Sequence, residues 1–498
     1  MILAHYILKN DYLCRKNQIN RIAMLIGRNK ELRVLQEAYE SEYSEFVVVY
    51  GRRRVGKTFL IREKFNYTFS FHHSGLANEK LKQQLLSFGD SLRKCGMDNA
   101  TVPSTWFEAF NQLEELITQS KDHKKVIFID EMPWMDTPRS HFVSALEHFW
   151  NGFASARKDV LLIICGSATS WMVKNVFKNR GGLHNRVTKR IHLHPFTLNE
   201  CEQFATSHNL AFSRYELLTC YMVMGGIPYY WAALQKGMGA DQNIDALFFG
   251  PDAEFGNEFD EFYASLFSNP DPYINVIATL GKKRIGMTRN ELIREANIKS
   301  NGRLSSILRD LENCDFIRSY QTFGKAKNDM IYQLTDNYTL FYFKFIKDND
   351  GNNANYWTRS NGTGARNAWN GLAFEQVCFA HIPQIKKKLG IAGVSTKVSS
   401  WRVQSDDELG PGAQIDLLIE RADHVINICE IKFSDEEYLI DKQYNLNLRW
   451  KRGRFARTTK TKFGLQLTMI TTMGLVPNSY ANEIQSQVTA DDLFEAGI

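Results

Sequence analysis

The sequence predicts an α/β protein of several domains, and three observations predict it. Residues 46–50, FVVVY, run directly into residues 51–58, GRRRVGKT. Residues 124–136, KKVIFIDEMPWMD, set two acids at the end of a short apolar run. Residues 412–434, GAQIDLLIERADHVINICEIKFS, set Asp416, Glu430 and Lys432 inside a pair of apolar stretches. A chain of 498 residues has room for about three or four domains. Its 44% hydrophobic and 23% charged content is that of a globular protein. A formal charge of +6 permits a nucleic-acid partner without requiring one. The eight cysteines show no C-x-x-C pair, which argues against zinc ribbons and redox motifs. Several lie in apolar runs, as reduced thiols do in a cytoplasmic protein. No apolar run is long enough to span a membrane. The start, MILAHYILKNDYLCRK, is too interrupted by polar residues for a signal peptide.

FVVVY reads as a buried strand, and GRRRVGKT as a turn into a helix that starts near Lys57. The spacing G-x-x-x-x-G-K-[ST] is that of a phosphate-binding loop. Gly51 and Gly56 let backbone N–H groups approach phosphates without a Cβ in the way. The helix N-terminus adds a favourable dipole. Lys57 would reach the β- and γ-phosphates of ATP, and Thr58 would ligate Mg²⁺. The three arginines raise the local positive potential, with no catalytic role for any one of them.

Val126–Ile129 read as a buried parallel strand. Asp130 then sits at its C-terminal end, where α/β sheets bind ligands, and would hold the Mg²⁺ water shell. Glu131 is the candidate to orient and deprotonate an attacking water. Asp136 reads as a surface carboxylate. A third strand in DVLLIICGSATSW (159–171) ends at Ser167, placed as a polar sensor of the γ-phosphate or simply as a small residue at a strand end.

The order IGRNKEL (26–32), GRRRVGKT, VIFIDE, LLIICGSATS, GGLHNR (181–186) and GGIPYY (225–230) resembles the prokaryotic AAA-type ATPases related to the signal-transduction ATPases with numerous domains. The resemblance covers roughly residues 24–235. It implies that Gly27 and Arg28 help bind the base. It implies that Arg186 is an arginine finger reaching a neighbouring subunit's γ-phosphate, in a motif where Asn185 replaces the usual glycine. Arg190 is the rival, and a plain surface arginine is the alternative to both. A finger acting in trans implies a homo-oligomer. The resemblance also implies a helical lid in which Pro228 closes over the nucleotide. Because related chains begin near MLIGR, residues 1–23 are expected to be an N-terminal extension to an ATPase core at 24–196.

Residues 197–265 read as the helical lid, opened by a capping box at Thr197 and Glu200. Residues 266–346 read as a winged helix-turn-helix. Thr288 caps one helix; a second carries Leu304, Ile307, Leu308 and Leu311 on one face; IRSYQTF and MIYQLTD form a wing. Such a domain can place its second helix in the major groove of DNA, with Lys299, Asn301, Arg303 and Arg309 as contacts, or act only as a packing module. The Asn- and Gly-rich stretch that opens at 347 reads as a linker over 347–364.

QIDLLIE and HVINICEIK read as a hairpin centred near Asp423, which sets Asp416 opposite Glu430. Lys432, two residues on, shares their face. Carboxylates this close repel unless a cation intervenes, so Mg²⁺ or Mn²⁺ is expected between them. Lys432 would position a water aimed at a phosphodiester. The pattern D-x(13)-E-x-K resembles the PD-(D/E)XK nuclease fold over about residues 365–498, an α/β restriction-endonuclease-like domain. The resemblance implies that Glu375, on the helix in WNGLAFEQVCFAHI (369–382), is a further metal ligand. It also implies a role for Gln443 beside Tyr444, while Ile415 stands where a proline is usual. The run RWKRGRFARTTKTK (449–462), with seven basic residues and no acid, reads as a phosphate-attracting segment whose Trp450 and Phe455 could stack on bases. The expected function is a Mg²⁺-dependent ATPase coupled to DNA binding or to metal-dependent DNA cleavage. The alternative is a nucleotide-dependent switch whose nuclease-like domain is inactive.

Overall fold

A computed structural model describes residues 25–497 apart from 168, 178–182, 184, 268, 284, 300, 325–329, 350–352 and 406–409. The extension expected over residues 1–23 lies outside the described residues. The chain divides into two compact units, Met1–Pro195 and Phe196–Ile498.

In the first unit, strands β1 (Glu45–Tyr50), β2 (Phe71–Ser74), β3 (Lys125–Asp130), β4 (Val160–Gly166) and β5 (Lys189–His192) form one sheet in the order β2-β3-β4-β1-β5. Every pairing is parallel. All residues of β3 and β4 are buried, as a parallel sheet covered on both faces demands. Phe46, Val48, Ile127, Ile129, Leu162 and Ile164 alternate along three strands into one core. The Trp106–Gln119 helix buries Trp106, Ala109, Phe110, Leu113 and Ile117 in that core at helical spacing. Thr105 starts this helix by accepting from the Glu108 N–H at 3.2 Å. β1, β3 and β4 fall on the expected apolar runs. β2 and β5 were not expected: FHHS and KRIH are four residues long and carry polar side chains.

The second unit opens with the helices Leu198–Ser207 and Arg214–Met224, each started by a full capping box, Thr197 with Glu200 and Ser213 with Glu216. Farther along, the helices Arg289–Glu295 and Gly302–Asn313 lie between the first and second strands, in chain order, of a three-stranded antiparallel sheet. Its strands β6 (Met287–Thr288), β7 (Ile317–Gln321) and β8 (Met330–Leu334) run in the order β6-β8-β7. Leu304, Ile307, Leu308 and Leu311 are all buried.

The segment 347–364 differs from the linker expected there. Its Tyr356–Arg359 helix buries Trp357, and the Asp245 carboxylate accepts from the Trp357 N–H at 2.7 Å and the Thr358 N–H at 3.0 Å. Arg366 lies over the Trp357 ring and pairs with Asp241 at 2.8 Å. The buried Trp357 and the Arg366–Asp241 pair outweigh the Asn- and Gly-rich composition, because their packing fixes the chain in place.

A five-stranded mixed sheet follows, in the order β13-β12-β11-β10-β9. It comprises β9 (Thr396–Val403), β10 (Ala413–Arg421), β11 (Val425–Lys432), β12 (Gly464–Thr471) and β13 (Ser486–Thr489). β9, β10 and β11 pair antiparallel; β11, β12 and β13 pair parallel. A bulge interrupts β10 between Ile415 and Leu418 on its β9 side. β7 continues toward the β9 edge: Thr322 bridges Ser400, and the Phe323 N–H donates to the Ser400 carbonyl at 2.9 Å.

Candidate functional site

Two groups of polar side chains stand out, one in each unit. In the first, β1 ends at Tyr50 and the chain turns through GRRRVG into the Lys57–Lys64 helix. Gly56 caps that helix with a φ of 90° and no side-chain hydrogen bond, so the first turn keeps its N–H groups free of a side-chain cap. A Cβ on Gly56 would meet nothing within 4 Å. Gly51 is different. A Cβ there would lie 2.3 Å from the Leu193 carbonyl oxygen, on the segment that leaves β5. Gly51 is therefore also required by the segment that leaves β5.

Lys57 is buried and its ammonium donates to the carbonyls of Gly51 (3.0 Å) and Arg52 (2.8 Å) and to Ser167 Oγ (3.0 Å). Ser167 Oγ in turn donates to Glu131 Oε1 at 2.6 Å, and the Ser167 N–H donates to Oε2 at 3.1 Å. The end of β4 thus ties the loop lysine to the acid at the end of β3. Glu131 adopts a left-handed conformation, φ 45°, and its N–H donates to Asp130 Oδ1 at 2.9 Å. Thr58 Oγ1 donates to Asp130 Oδ2 at 2.7 Å. A hydroxyl and a carboxylate oxygen at that spacing suit neighbouring corners of an octahedral oxygen shell, so the donor set fits Mg²⁺.

The other candidates scatter in degree. Gly27 and Arg28 are both left-handed, and Arg28 Nη2 donates to the Val55 carbonyl of the loop at 3.4 Å. Of the three loop arginines only Arg53 is exposed; Arg52 is buried and Arg54 half-buried. Asp136 departs from the expected surface position: it is half-buried, accepts from Trp171 Nε1 at 3.0 Å, and burial pushes its carboxyl up. Arg186 is exposed in a turn, while Arg190 lies on β5 with its guanidinium 4.5 Å over the Phe177 ring. Pro228 begins the Pro228–Ala232 helix of the second unit and is half-buried. Sequence reasoning passed over His72, whose imidazole is lowered by burial and by Arg62 and raised by Asp130.

In the second unit the β10–β11 register pairs Leu417 with Cys429 and Leu418 with Ile428. Continued one residue, it sets Asp416 opposite Glu430. Burial pushes the Glu430 carboxyl up, Lys451 pulls it back, Asp416 pushes it further up and Lys432 pulls it down. Asp416 and Lys432 therefore both act on Glu430. Glu375 is buried on the Gly364–Ala380 helix. The expected three-carboxylate metal group is not assembled: Glu375, Asp416 and Glu430 do not bring their oxygens together within ligand distance of one another, because Lys451 already holds both oxygens of Glu430. One partner was not foreseen. Lys451 Nζ stands 2.7 and 2.9 Å from the two oxygens of Glu430, and the Tyr444 hydroxyl donates to Glu430 at 3.4 Å. Tyr444 and Lys451 lie seven residues apart on the Lys442–Thr459 helix, two turns on one face, which is the signal that could have linked them. Lys432 sits with its ammonium 5.4 Å from the Tyr444 ring. Gln443 is exposed.

The basic run 449–462 begins inside that helix, and here an expectation fails. Phe455 is fully buried against Trp401 (5.2 Å) and Phe323 (5.1 Å), so it is not free to stack on a base. Arg454 is fully buried as well. Lys299, Asn301, Arg303 and Arg309 are all exposed, but the Asn301 side chain is occupied in capping its helix, accepting from the Arg303 and Leu304 N–H groups at 3.1 and 3.2 Å.

Comparison with known proteins shows what the chain is similar to. An uncharacterized protein of Methanocaldococcus jannaschii is 23% identical over 427 residues, covering 83% of this chain and 88% of that one. Among solved structures, the Walker-type ATPase paby2304 of Pyrococcus abyssi is 16% identical at a TM-score of 0.45, covering 64% of this chain and 96% of that one. The Aeropyrum pernix ORC2 protein, solved in ADPNP–ADP complexes, is 13% identical at a TM-score of 0.42, covering 64% and 93%. No helix among the described residues is long and apolar enough to cross a membrane. Residues 25–234 match the family described as an ATPase domain predominantly from Archaea, and this part of the chain is an ATPase domain of that type.

Proposed function

We propose that the chain is a Mg²⁺-dependent, AAA-type ATP hydrolase coupled to DNA binding and to metal-dependent cleavage of DNA by its C-terminal residues. The hydrolytic half is supported by the chain of contacts from Lys57 through Ser167 to Glu131, with Thr58 on Asp130 beside it. Lys57 and the first N–H groups of its helix bind the β- and γ-phosphates. Thr58 and Asp130 hold Mg²⁺, which when bound offsets phosphate charge. Glu131 takes a proton from the water that attacks the γ-phosphorus, and the bond from that phosphorus to the ADP oxygen breaks. Gly27 and Arg28 flank the base, Ser167 senses the γ-phosphate, Pro228 belongs to a lid, and Arg186 serves a neighbouring subunit in a homo-oligomer.

The nucleolytic half is carried by one observation: the β10–β11 register sets Asp416 opposite Glu430, on which Asp416 and Lys432 both bear electrostatically. Asp416 and Glu430, with Glu375 drawn in beside them, would hold Mg²⁺ or Mn²⁺, which when bound would share the phosphodiester's charge. Lys432 orients the water; its oxygen bonds to phosphorus and one phosphorus–oxygen ester bond breaks, leaving a phosphomonoester and an alcohol. Plasmid incubated with protein, ATP and Mg²⁺ or Mn²⁺ tests this. Nicking that disappears in Asp416→Ala is expected; equally intact DNA with wild type and variant removes the nucleolytic half. Lys57→Ala is expected to lose ATP binding.

One observation favours a second reading. Lys451 already neutralises Glu430. A chain in which that pair persists would be a nucleotide-dependent switch, with DNA affinity set by ATP and no cleavage. A mobility shift that depends on ATP, with the DNA left whole, would select it.

A further inference from the structure

The sheet that carries Asp416 does not face open solvent on its β9–β10 side. A cavity of about 760 Å³ lies between it and the three-stranded sheet of β6, β8 and β7. Arg318 and Tyr320 of β7 line it from one side; Arg402, Gln414 and Asp416, with Glu375, line it from the other. The walls are joined, since Thr322 bridges Ser400 and Phe323 packs on Phe455. A volume near the upper part of the range for small-molecule sites admits a few linked nucleotides at once. It does not admit a double helix, whose major groove alone is about 12 Å wide.

Lys283, Arg318 and Arg402 line this cavity together with Glu291, Glu375 and Asp416, and of these cations Lys283 is taken up by Glu291. Arg318 Nε and Nη2 both donate to Gln333 Oε1, at 2.8 and 2.5 Å, and its guanidinium lies 3.4 Å over the Phe379 ring. It has no carboxylate partner among the described residues. Phe379 is one helical turn beyond Glu375 on the Gly364–Ala380 helix, so the seat of Arg318 and the acid share a face. Arg402 is exposed at the cavity with no ion pair among the described residues. Behind it, Arg454 is fully buried. It donates from Nη2 to the carbonyl of Gln404, a lining residue, at 3.3 Å, and its Nε and Nη1 have no hydrogen-bond partner. Unpaired guanidinium groups in a partly dry site select phosphate, which they meet with fixed, planar donors.

We infer that this cavity binds a single strand of nucleic acid, with Arg318 and Arg402 on its phosphates and Asp416 and Glu375 beside one linkage. The inference rests on the nucleolytic reading for what happens to that linkage, but not for the binding itself. It gives the site a substrate class: an unpaired strand or a frayed end, not an intact duplex.

Fluorescence anisotropy on the full chain, with Ca²⁺ replacing Mg²⁺, tests it. The probes are labelled oligothymidylate, oligouridylate of the same length, and a DNA duplex of the same length. The expected result is at least tenfold tighter binding of a single strand than of duplex; the two single strands show which sugar is preferred. Arg318→Gln and Arg402→Gln should each weaken single-strand binding about fivefold or more and lower its salt dependence by about one phosphate contact. Lys236→Gln, at an exposed lysine that does not line the cavity, should leave it unchanged. Equal or tighter duplex binding, or unchanged single-strand affinity in both cavity variants, overturns the inference. Arg402 is exposed, so its variant decides the matter should Arg318→Gln fail to fold. Single-strand binding that needs both arginines, with no cleavage of any DNA, removes the nucleolytic reading alone. Plasmid cleavage with unchanged single-strand binding in both variants removes this inference alone.

Discussion

Lys451→Met isolates the cation that now neutralises the acidic group of the second unit. Glu430 is only 3% exposed, and Lys451 contacts both of its oxygens. Methionine keeps the stem and deletes the charge. Breaking a buried pair by removing one partner costs about 3–5 kcal/mol. Glu430 softens that loss by taking up a proton, since burial and Asp416 already push its carboxyl up. About 3 kcal/mol is therefore expected in metal-free buffer. A divalent cation can then occupy the vacated charge position. Mn²⁺ at a hundred times its dissociation constant returns about 2.7 kcal/mol, close to the whole loss. The assay is differential scanning calorimetry without nucleotide, across a Mn²⁺ titration, with affinity from isothermal titration calorimetry. The variant should melt below wild type without metal, recover with Mn²⁺, and bind Mn²⁺ at least about tenfold more tightly, or about 1.4 kcal/mol. Adding Asp416→Ala should abolish the recovery. If Mn²⁺ stabilises wild type and Lys451→Met equally, the acidic group does not hold a metal and the reasoning fails.

Three further outcomes are expected. Glu131→Gln should bind ATP as wild type does while turnover, followed by phosphate release, falls about 10²–10⁴-fold; equal turnover would remove the role given to Glu131. Gly51→Ala should lower stability by about 2–6 kcal/mol, from the overlap with Leu193 and a φ of 145°, seen as a lower melting temperature together with lost ATP binding. An unchanged melt would contradict the close approach. His381 is fully buried, donates from Nδ1 to the Val377 carbonyl and accepts from the Leu198 N–H at Nε2, and burial lowers its imidazole to about 4. The folded state holds it neutral, so its contribution is whole above about pH 6.5 and is lost as pH falls toward 4. That gap is worth about 3 kcal/mol. Urea unfolding of His381→Gln should show a flatter pH dependence over that window than wild type, and parallel curves would refute it.

The fold was legible where burial is complete and local. The runs FVVVY, VIFID and VLLIICG are β1, β3 and β4 because a strand covered on both faces needs no polar alternation. The pairing of the hairpin was legible because its turn near Asp423 is short, which fixes the register. What could not be read were partners distant in sequence. Lys451 meets Glu430 from a helix that begins ten residues past the strand, and its basic neighbours made it look like one charge in a solvated run. Phe455 and Arg454 sit in the same run and are buried, because they follow Lys451 by four and three positions and so share the packed face of the helix. Arg318 was invisible for the same reason: nothing local to β7 indicates that it meets Phe379.

The bridge from Thr322 to Ser400 matters for how the protein can be taken apart. β9 lies at the border of its sheet, with the outer row of its amides and carbonyls open to pairing wherever nothing covers it. The tail of β7 occupies part of that row, and Phe323 plugs the apolar layer beneath. A fragment beginning near residue 365 would lose this cover and present a sticky margin to its own copies. A fragment beginning near residue 196 would retain it, so the longer piece is the one expected to remain dispersed in solution.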